Sequence, residues 1–170
     1  MGTGAQPTQQ TTASNTGLQS SPIGAIVAVI GAVLTIVGVF TPWVTNNQTD
    51  AGLSGWDLTS GDKGFVLTGG GLLTFKSADP YLVLLLGLVG LIAAVVLFMG
   101  RARSVGRVVS VIVGVLIVGL VIRDWTSMAD VVSTRAPSSF EISSSTGLYL
   151  CIAGGALLVL AAIMPAKKQS

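Results

Sequence analysis

Four long runs of apolar residues divide the chain, and polar segments separate them. A membrane-spanning helix needs about 20 mostly apolar residues to cross a hydrocarbon core about 30 Å thick. The first two runs meet this length directly, and the shorter third and fourth runs meet it when they are extended at their N-terminal ends. The pattern therefore predicts four transmembrane helices, at residues 23–43, 81–100, 105–124 and 145–164.

The first long polar segment, residues 44–80, contains short apolar runs of the length of β-strands. Residues 65–68 and 72–75 flank Gly69-Gly70-Gly71, and glycines supply the positive φ angles that tight hairpin turns require. We expect a β-hairpin here, to which residues 55–59 add a third strand.

The second long polar segment, residues 125–144, begins with helical spacing and ends with alternation. Trp125, Met128 and Val132 would share one helix face, so the third helix is expected to continue beyond the bilayer. Beyond Pro137, alternating residues predict an edge strand. The predicted fold class is an all-α membrane protein, a four-helix transmembrane bundle with a small extracellular hairpin or three-stranded sheet from the first outer loop.

Composition supports a membrane protein. Charged residues make up 9% of the chain and hydrophobic residues 51%, and the mean hydropathy is +0.80. A soluble domain carries about 25% charged residues. The lipid bilayer is therefore the expected surrounding of most of the surface, and a net charge of +2 gives no reason to expect a nucleic-acid partner.

Basic residues predict the orientation, because short cytoplasmic loops are enriched in Lys and Arg. The two longer loops, together with Asp124 at the outer end of the third span, contain all seven acidic residues of the chain. The segment after the second span and the C-terminal segment contain only basic charges: Arg101, Arg103, Arg107, Lys167 and Lys168. We therefore expect a multi-pass protein of the plasma membrane with both termini in the cytoplasm.

The same orientation assigns the remaining segments. Residues 1–22 are uncharged and polar, which predicts a disordered cytoplasmic tail. Residues 101–104 form the predicted inner loop, and residues 165–170 form the predicted C-terminal cytoplasmic tail.

Small residues recur along each predicted span. In lipid, helices associate where small side chains let the backbones approach closely. These positions predict either close packing inside one bundle or a contact between two copies of the chain: Gly24, Gly31, Gly38, Gly90, Gly114 and Gly155.

The three tryptophans are candidate anchors of the outer region. Trp43, at the end of the first span, is expected at the depth of the lipid headgroups, where Trp is enriched. Trp56, after the flexible Gly55, is expected to seat the outer sheet on the helix ends, with stacking on a ligand as the alternative. Trp125 follows the third span and belongs to the same group.

Enzymatic chemistry has little support. The chain has no histidine, and Cys151 is its single cysteine, which removes the usual general base and the usual metal-ligand sets. No ionisable residue lies in the middle of a span, and no nucleophile lies near a base. We expect a non-enzymatic protein with no catalytic site, metal or cofactor.

Several of these residues resemble the claudin and peripheral-myelin-protein group. Pro42-Trp43 closes the first span, Gly55-Trp56 follows in the loop, Trp125 follows the third span, and Glu141 precedes a fourth span that begins with glycine. The chain is also similar in style to small bacterial four-span proteins with a "PWV…GWDL" loop. The resemblance implies four spans with a strand-rich outer loop. The loop lacks the two cysteines of the claudin group, so no disulfide is implied.

Two functions are compatible with this sequence. The first is a structural, accessory or assembly subunit that binds other membrane proteins, or copies of itself, through its outer sheet and small-residue helix faces. The second is a passive channel or small-solute pathway with an acidic outer vestibule.

Overall fold

The computed structural model describes residues 22–47, 52–67, 70–99 and 103–164. The elements, in chain order, are α1 (Pro22–Phe40), β1 (Pro42–Asn46), β2 (Gly52–Ser54), α2 (Gly55–Ser60), β3 (Gly64–Val66), β4 (Leu72–Thr74), α3 (Asp79–Met99), α4 (Arg103–Arg135), β5 (Ile142–Ser144) and α5 (Thr146–Ile163). Residues 1–21 of the predicted N-terminal tail, the predicted C-terminal tail 165–170, and residues 101 and 102 of the predicted inner loop lie outside the described residues.

Four of the helices are long and apolar enough to cross a membrane, which confirms the predicted four-helix architecture. They form a closed ring in which α1 lies beside α3 and α5, and α4 lies beside α3 and α5. The outward faces of all four helices are apolar and exposed, as a bundle surrounded by lipid requires.

Glycines lie where the helices approach most closely. A methyl group at Gly31 would lie 2.7 Å from the carbonyl oxygen of Gly154, and one at Gly114 would lie 2.5 Å from that of Gly155. At Gly38 the methyl group would lie 2.6 Å from the Cys151 sulfur. Any side chain at these positions would push the backbones apart.

The remaining predicted packing glycines lie at the same kind of contact. A methyl group at Gly24 would lie 3.2 Å from the Ala161 carbonyl oxygen, and one at Gly90 would lie 3.1 Å from a methyl carbon of Leu158. A methyl group at Gly155 would lie 2.9 Å from the Gly114 carbonyl oxygen. The six glycines therefore face neighbouring helices of the same chain.

Helix α4 is longer than a membrane crossing requires. Its 33 residues extend about 50 Å at the usual rise per residue. The prediction that the third helix continues past the apolar segment is confirmed, since it ends at Arg135 rather than near residue 124. Met128 is buried and Trp125 is half-buried, so the extension packs against the rest of the protein.

The first span is shorter than predicted, because α1 ends at Phe40 and a strand follows at once. Pro42 has no N–H to continue the helical hydrogen bonds, and it disfavours the helical backbone conformation at Thr41, the residue before it. The Thr41 hydroxyl donates to the Gly38 carbonyl oxygen (3.0 Å), which satisfies one of the last acceptors of the helix.

The three-stranded sheet has the order β2–β1–β5, with both pairs antiparallel. Val44 on the central strand is paired with Leu53 on one side and with Ser144 on the other. The prediction that the sheet comes from the first polar segment alone is wrong in this respect, since its third strand comes from the second segment. The predicted edge strand beyond Pro137 is confirmed as β5.

The prediction of a strand at residues 55–59 is also wrong, since Gly55–Ser60 is the short helix α2. Ser54 and Asp57 form a capping box: the Ser54 hydroxyl accepts from the Asp57 backbone N–H (3.2 Å), and the Asp57 carboxylate accepts from the Ser54 backbone N–H (3.1 Å). Gly61, at φ 70°, ends the helix in the left-handed conformation.

The predicted hairpin is confirmed as β3–β4, which forms a separate two-stranded sheet. Phe65 is paired with Leu73, and Val66 with Leu72. Gly70 has a φ of 89°, the conformation for which the glycine run was expected. The turn residues Thr68 and Gly69 lie outside the described part of the chain.

Candidate functional site

All five strands, α2 and the described residues that connect them, including residues 136–141 between α4 and β5, lie at one end of the bundle and are here called the lid. The opposite end contains the C-terminus of α3 and the N-terminus of α4. The predicted anchors Trp43, Gly55 and Trp56 belong to the lid, and the predicted basic residues belong to the opposite end or lie outside the described residues.

Trp43 lies inside the protein instead of at an interface with lipid. Its side chain is fully buried, and its indole Nε1 donates to the Gly38 carbonyl oxygen (2.8 Å) at the end of α1. A methyl group at Gly55 would lie 2.7 Å from the indole ring, so the lid backbone closes directly over it. The prediction of Trp43 as a headgroup anchor is corrected: the indole joins the lid to the bundle.

Trp56, unlike Trp43, lies at the surface of the protein. It is 41% exposed, and its ring centroid lies 5.7 Å from that of Phe40 and 5.6 Å from that of Tyr81. These partners are at the lid-side ends of α1 and α3. The three rings form an exposed aromatic cluster where the lid meets the apolar helix faces, a position in which Trp and Tyr are common in membrane proteins.

Asn47 joins the two polar segments of the lid. Its amide nitrogen donates to the Ser139 carbonyl oxygen (3.0 Å), and its amide oxygen accepts from the Glu141 backbone N–H (3.2 Å). The Asn47 backbone N–H in turn donates to the Glu141 carbonyl oxygen (3.1 Å). Sequence reasoning missed this role, because its partners lie more than 90 residues away.

The hairpin has one buried face and one exposed face. Phe65 is buried against Phe75 and Phe140, at centroid distances of 6.1 and 5.9 Å. On the opposite face the cross-strand pair Val66 and Leu72 is 66% and 58% exposed. An apolar pair is therefore presented outward by a hairpin whose other face is held by aromatic contacts.

A pocket of about 630 Å³ lies between the start of α3 and the lid-side part of α4. Its lining is largely polar and carries both signs of charge: Thr74, Phe75, Lys76, Ser77, Ala78, Asp79, Arg123, Asp124, Ser127, Met128, Val131 and Arg135. Sequence reasoning missed it, because Ser77 and Asp124 are 47 residues apart and no motif links them.

Asp124 is the most buried charged residue of this pocket, at 4% exposure. Its Oδ1 accepts from the Ser77 hydroxyl (2.6 Å), while its Oδ2 is buried and has no hydrogen-bond partner among the described residues. The same Ser77 oxygen accepts from the Asp79 backbone N–H (3.1 Å), which holds the two acidic residues close together. A buried carboxylate oxygen without a donor is costly.

The basic residues of the pocket compensate these acids only in part. Arg123 is 3.9 Å from the Asp79 carboxylate, at the outer limit of an ion pair, and its side chain is 72% exposed. An exposed pair of this kind contributes at most about 1 kcal/mol. The pocket therefore has carboxylates near its base and long, exposed basic side chains at its opening.

At the opposite end of the bundle, Arg107 holds the last turn of α5. Its guanidinium donates to the Met164 carbonyl oxygen (2.8 Å), an acceptor that the helix itself leaves unsatisfied. Arg103 begins α4. Arg101, Lys167 and Lys168 lie outside the described residues.

The described residues contain no group of three His, Cys, Asp or Glu side chains that could hold a metal ion. No protein-family model matches the chain, and neither a curated protein nor a solved structure matches it. The geometry of the lid and of its pocket is therefore the basis for the function proposed below.

Proposed function

We propose that this protein is a non-enzymatic accessory or assembly subunit of the plasma membrane, which binds another membrane protein through its lid. The exposed Val66–Leu72 pair is the observation that carries this proposal. Contiguous exposed apolar surface is characteristic of interaction sites, and Val66 and Leu72 are adjacent across the two strands. The buried side of the hairpin, with Phe65 against Phe75 and Phe140, keeps this pair in place.

The helix faces are poorer candidates for the binding surface. The small-residue stripes that the sequence offered for assembly are in contact with neighbouring helices of the same chain, as at Gly31 and Gly114. The predicted packing glycines are therefore already occupied by contacts within this chain. The lid is thus the better-supported surface.

The alternative of a passive channel gains no support from the bundle interior. Val83, Ile117 and Leu158 are fully buried there. The buried Thr35 hydroxyl donates to the Gly31 carbonyl oxygen of its own helix (3.0 Å) instead of lining a water path. Ion flux through liposomes that contain the purified protein would overturn this preference.

Part of the proposal is the orientation, with the lid outside and both termini in the cytoplasm. It is supported by the basic residues of the opposite end. Ser138 is exposed on the lid, and the native Cys151 is buried, so Ser138→Cys gives a selective label. We expect a membrane-impermeant maleimide to label this variant in intact cells. Labelling only after the cells are broken would reverse the orientation.

Photo-crosslinking from the hairpin tests the partner. We expect a benzophenone side chain at position 66 to capture one dominant membrane protein in native membranes. The double variant Val66→Ser with Leu72→Ser should co-purify less than about a tenth of that partner, because central apolar contacts commonly carry 2 kcal/mol or more. Ser138→Ala, elsewhere on the lid, is the control. Unchanged co-purification, or a crosslink only between two copies of this chain, would contradict the proposal.

A further inference from the structure

A second, wholly apolar groove lies on the outside of the bundle between α3 and α4. It has a volume of about 340 Å³ and is lined by Leu82, Leu85, Leu86, Val89, Leu116 and Leu120. In a membrane this groove faces the acyl chains of the lipids. The chemistry of a ligand for this groove can be inferred from the charged pocket beside it.

The groove continues the charged pocket along the same helix seam. Leu82 follows Asp79 by three residues on α3, and Leu120 precedes Asp124 by four residues on α4. Residues three or four apart lie on one face of a helix, one above the other. The polar pocket therefore lies about one helical turn beyond the lid-side end of the apolar groove.

We propose that pocket and groove form one binding site for a phospholipid whose headgroup carries a primary ammonium, such as an ethanolamine phospholipid. One acyl chain occupies the groove between α3 and α4. The phosphate lies at the opening of the pocket, near Arg123 and Lys76, and the ammonium lies deeper, beside Asp79 and Asp124. This proposal goes beyond the proposed accessory function and does not depend on it.

Charge complementarity selects a zwitterionic headgroup. The acidic groups are the less exposed ones, with Asp79 at 14% side-chain exposure, whereas the Arg123 side chain extends into solvent. Phosphate groups bind well to guanidinium and ammonium donors. A headgroup with an anionic phosphate and a terminal cation would meet both signs in this order.

The buried carboxylates select a primary ammonium over a quaternary one. A primary ammonium has three N–H donors, so it can bond to Asp79 and approach the Oδ2 of Asp124 that lacks a donor. A choline headgroup has the same charge and no N–H donor. The site should therefore discriminate between two lipids that are identical except at the nitrogen.

Native mass spectrometry of the purified full-length protein tests this inference. The protein is equilibrated in micelles with ethanolamine, choline or glycerol phospholipids of the same acyl composition. We expect retention of one ethanolamine phospholipid per chain, at least about tenfold above the choline lipid, the ratio expected for a lost charge-assisted hydrogen bond. Equal retention of the two, or preferential retention of the glycerol lipid, would overturn the proposal.

Two variants test the two parts of the site separately. Asp79→Asn removes the accessible carboxylate and should abolish the preference for ethanolamine over choline, while Asp130→Asn, exposed on the same helix as Asp124, should preserve it. Val89→Trp fills the groove and should reduce retention of both lipids about tenfold, while Val95→Trp, exposed elsewhere on α3, should not. Equal effects of a variant and its control would contradict the site.

Two further observations would exclude other occupants. Soluble phosphoethanolamine should not displace the lipid at equal concentration, because it lacks an acyl chain for the groove. Displacement would show that only the headgroup pocket binds. A mass of two protein chains that Val89→Trp abolishes would show that the groove binds a second copy of this chain, and the lipid proposal would then be wrong.

Discussion

The bundle and the lid are held together in different ways. In the bundle, the helix backbones come into close contact at glycines, which have no side chain. Gly31 and Gly114, for example, each lie against a carbonyl oxygen of the neighbouring helix. In the lid, the strands and loops are held by hydrogen bonds from the Trp43 indole and the Asn47 amide and by the backbone pairing of β1. The bundle should therefore be sensitive to added volume, and the lid to removed groups.

Removal of the Trp43 side chain should be the most damaging change in the lid. Trp43→Ala leaves a cavity between the lid and the end of α1 and removes the hydrogen bond to the Gly38 carbonyl oxygen. Loss of a buried Trp of this kind costs about 3–5 kcal/mol. Thermal unfolding in detergent measures the effect. A variant as stable as the wild type would show that the lid does not depend on this residue.

Added volume in the bundle should cost nearly as much. Gly31→Val places its side chain against the Gly154 carbonyl oxygen, and overpacking of this kind costs about 1–3 kcal/mol, or more where backbone is the obstacle. Gly119→Val is the matched control, because nothing lies within 4 Å of the position that its Cβ would occupy. The same unfolding assay compares them, and equal stability of the two variants would refute the packing argument.

Trp56→Ala separates the exposed tryptophan from the buried one. Because Trp56 is partly exposed and packs on the Phe40 and Tyr81 rings at the ends of α1 and α3, we expect a loss of about 1–2 kcal/mol, the size of two such aromatic pairs. The unfolding temperature in detergent, compared with that of Trp43→Ala, provides the measurement. A loss as large as that of Trp43→Ala would show that both tryptophans hold the lid.

The capping box of α2 should give the smallest effect, and one that depends on pH. Burial alone would raise the pKa of Asp57, but hydrogen bonds from Lys63 and Ser54 outweigh it and lower the pKa below its ordinary value of 3.8. A lowered carboxyl pKa contributes stability above the unfolded value, and this contribution is lost as the pH falls through the folded value. The stability difference between wild type and Asp57→Asn should therefore shrink below about pH 4. A difference independent of pH would contradict this.

The sequence predicted the bundle better than the lid, because lipid imposes a simple rule on apolar length and no such rule governs the lid. The four helices, the continuation of α4 and the hairpin all follow from local patterns. The strand at Trp43 was missed because its apolar residues continue the pattern of the preceding helix. The helix at Gly55–Ser60 was missed because its signal is the Ser54–Asp57 capping pair rather than hydrophobic periodicity.

The candidate site was the least predictable part. Trp56 packs on the ends of α1 and α3, in keeping with its predicted role. Trp43 was assigned the wrong environment, since only the pairing of distant strands covers its side chain. The pocket around Asp124 depends on contacts between residues 47 positions apart, and its local sequence gives only a charge beyond an apolar run. Local patterns carry no information on such contacts.

The pairing of β1 with β5 has a consequence for the order of assembly. β5 immediately precedes the last helix, about 100 residues after β1. A chain emerging from the ribosome must therefore insert its first three long helices while one edge of β1 is still open, and such an edge readily pairs with other strands. The sheet can therefore be completed only after β5, directly before α5, has been synthesised. A chain truncated before β5 would leave this edge of β1 unpaired and open to pairing with another strand.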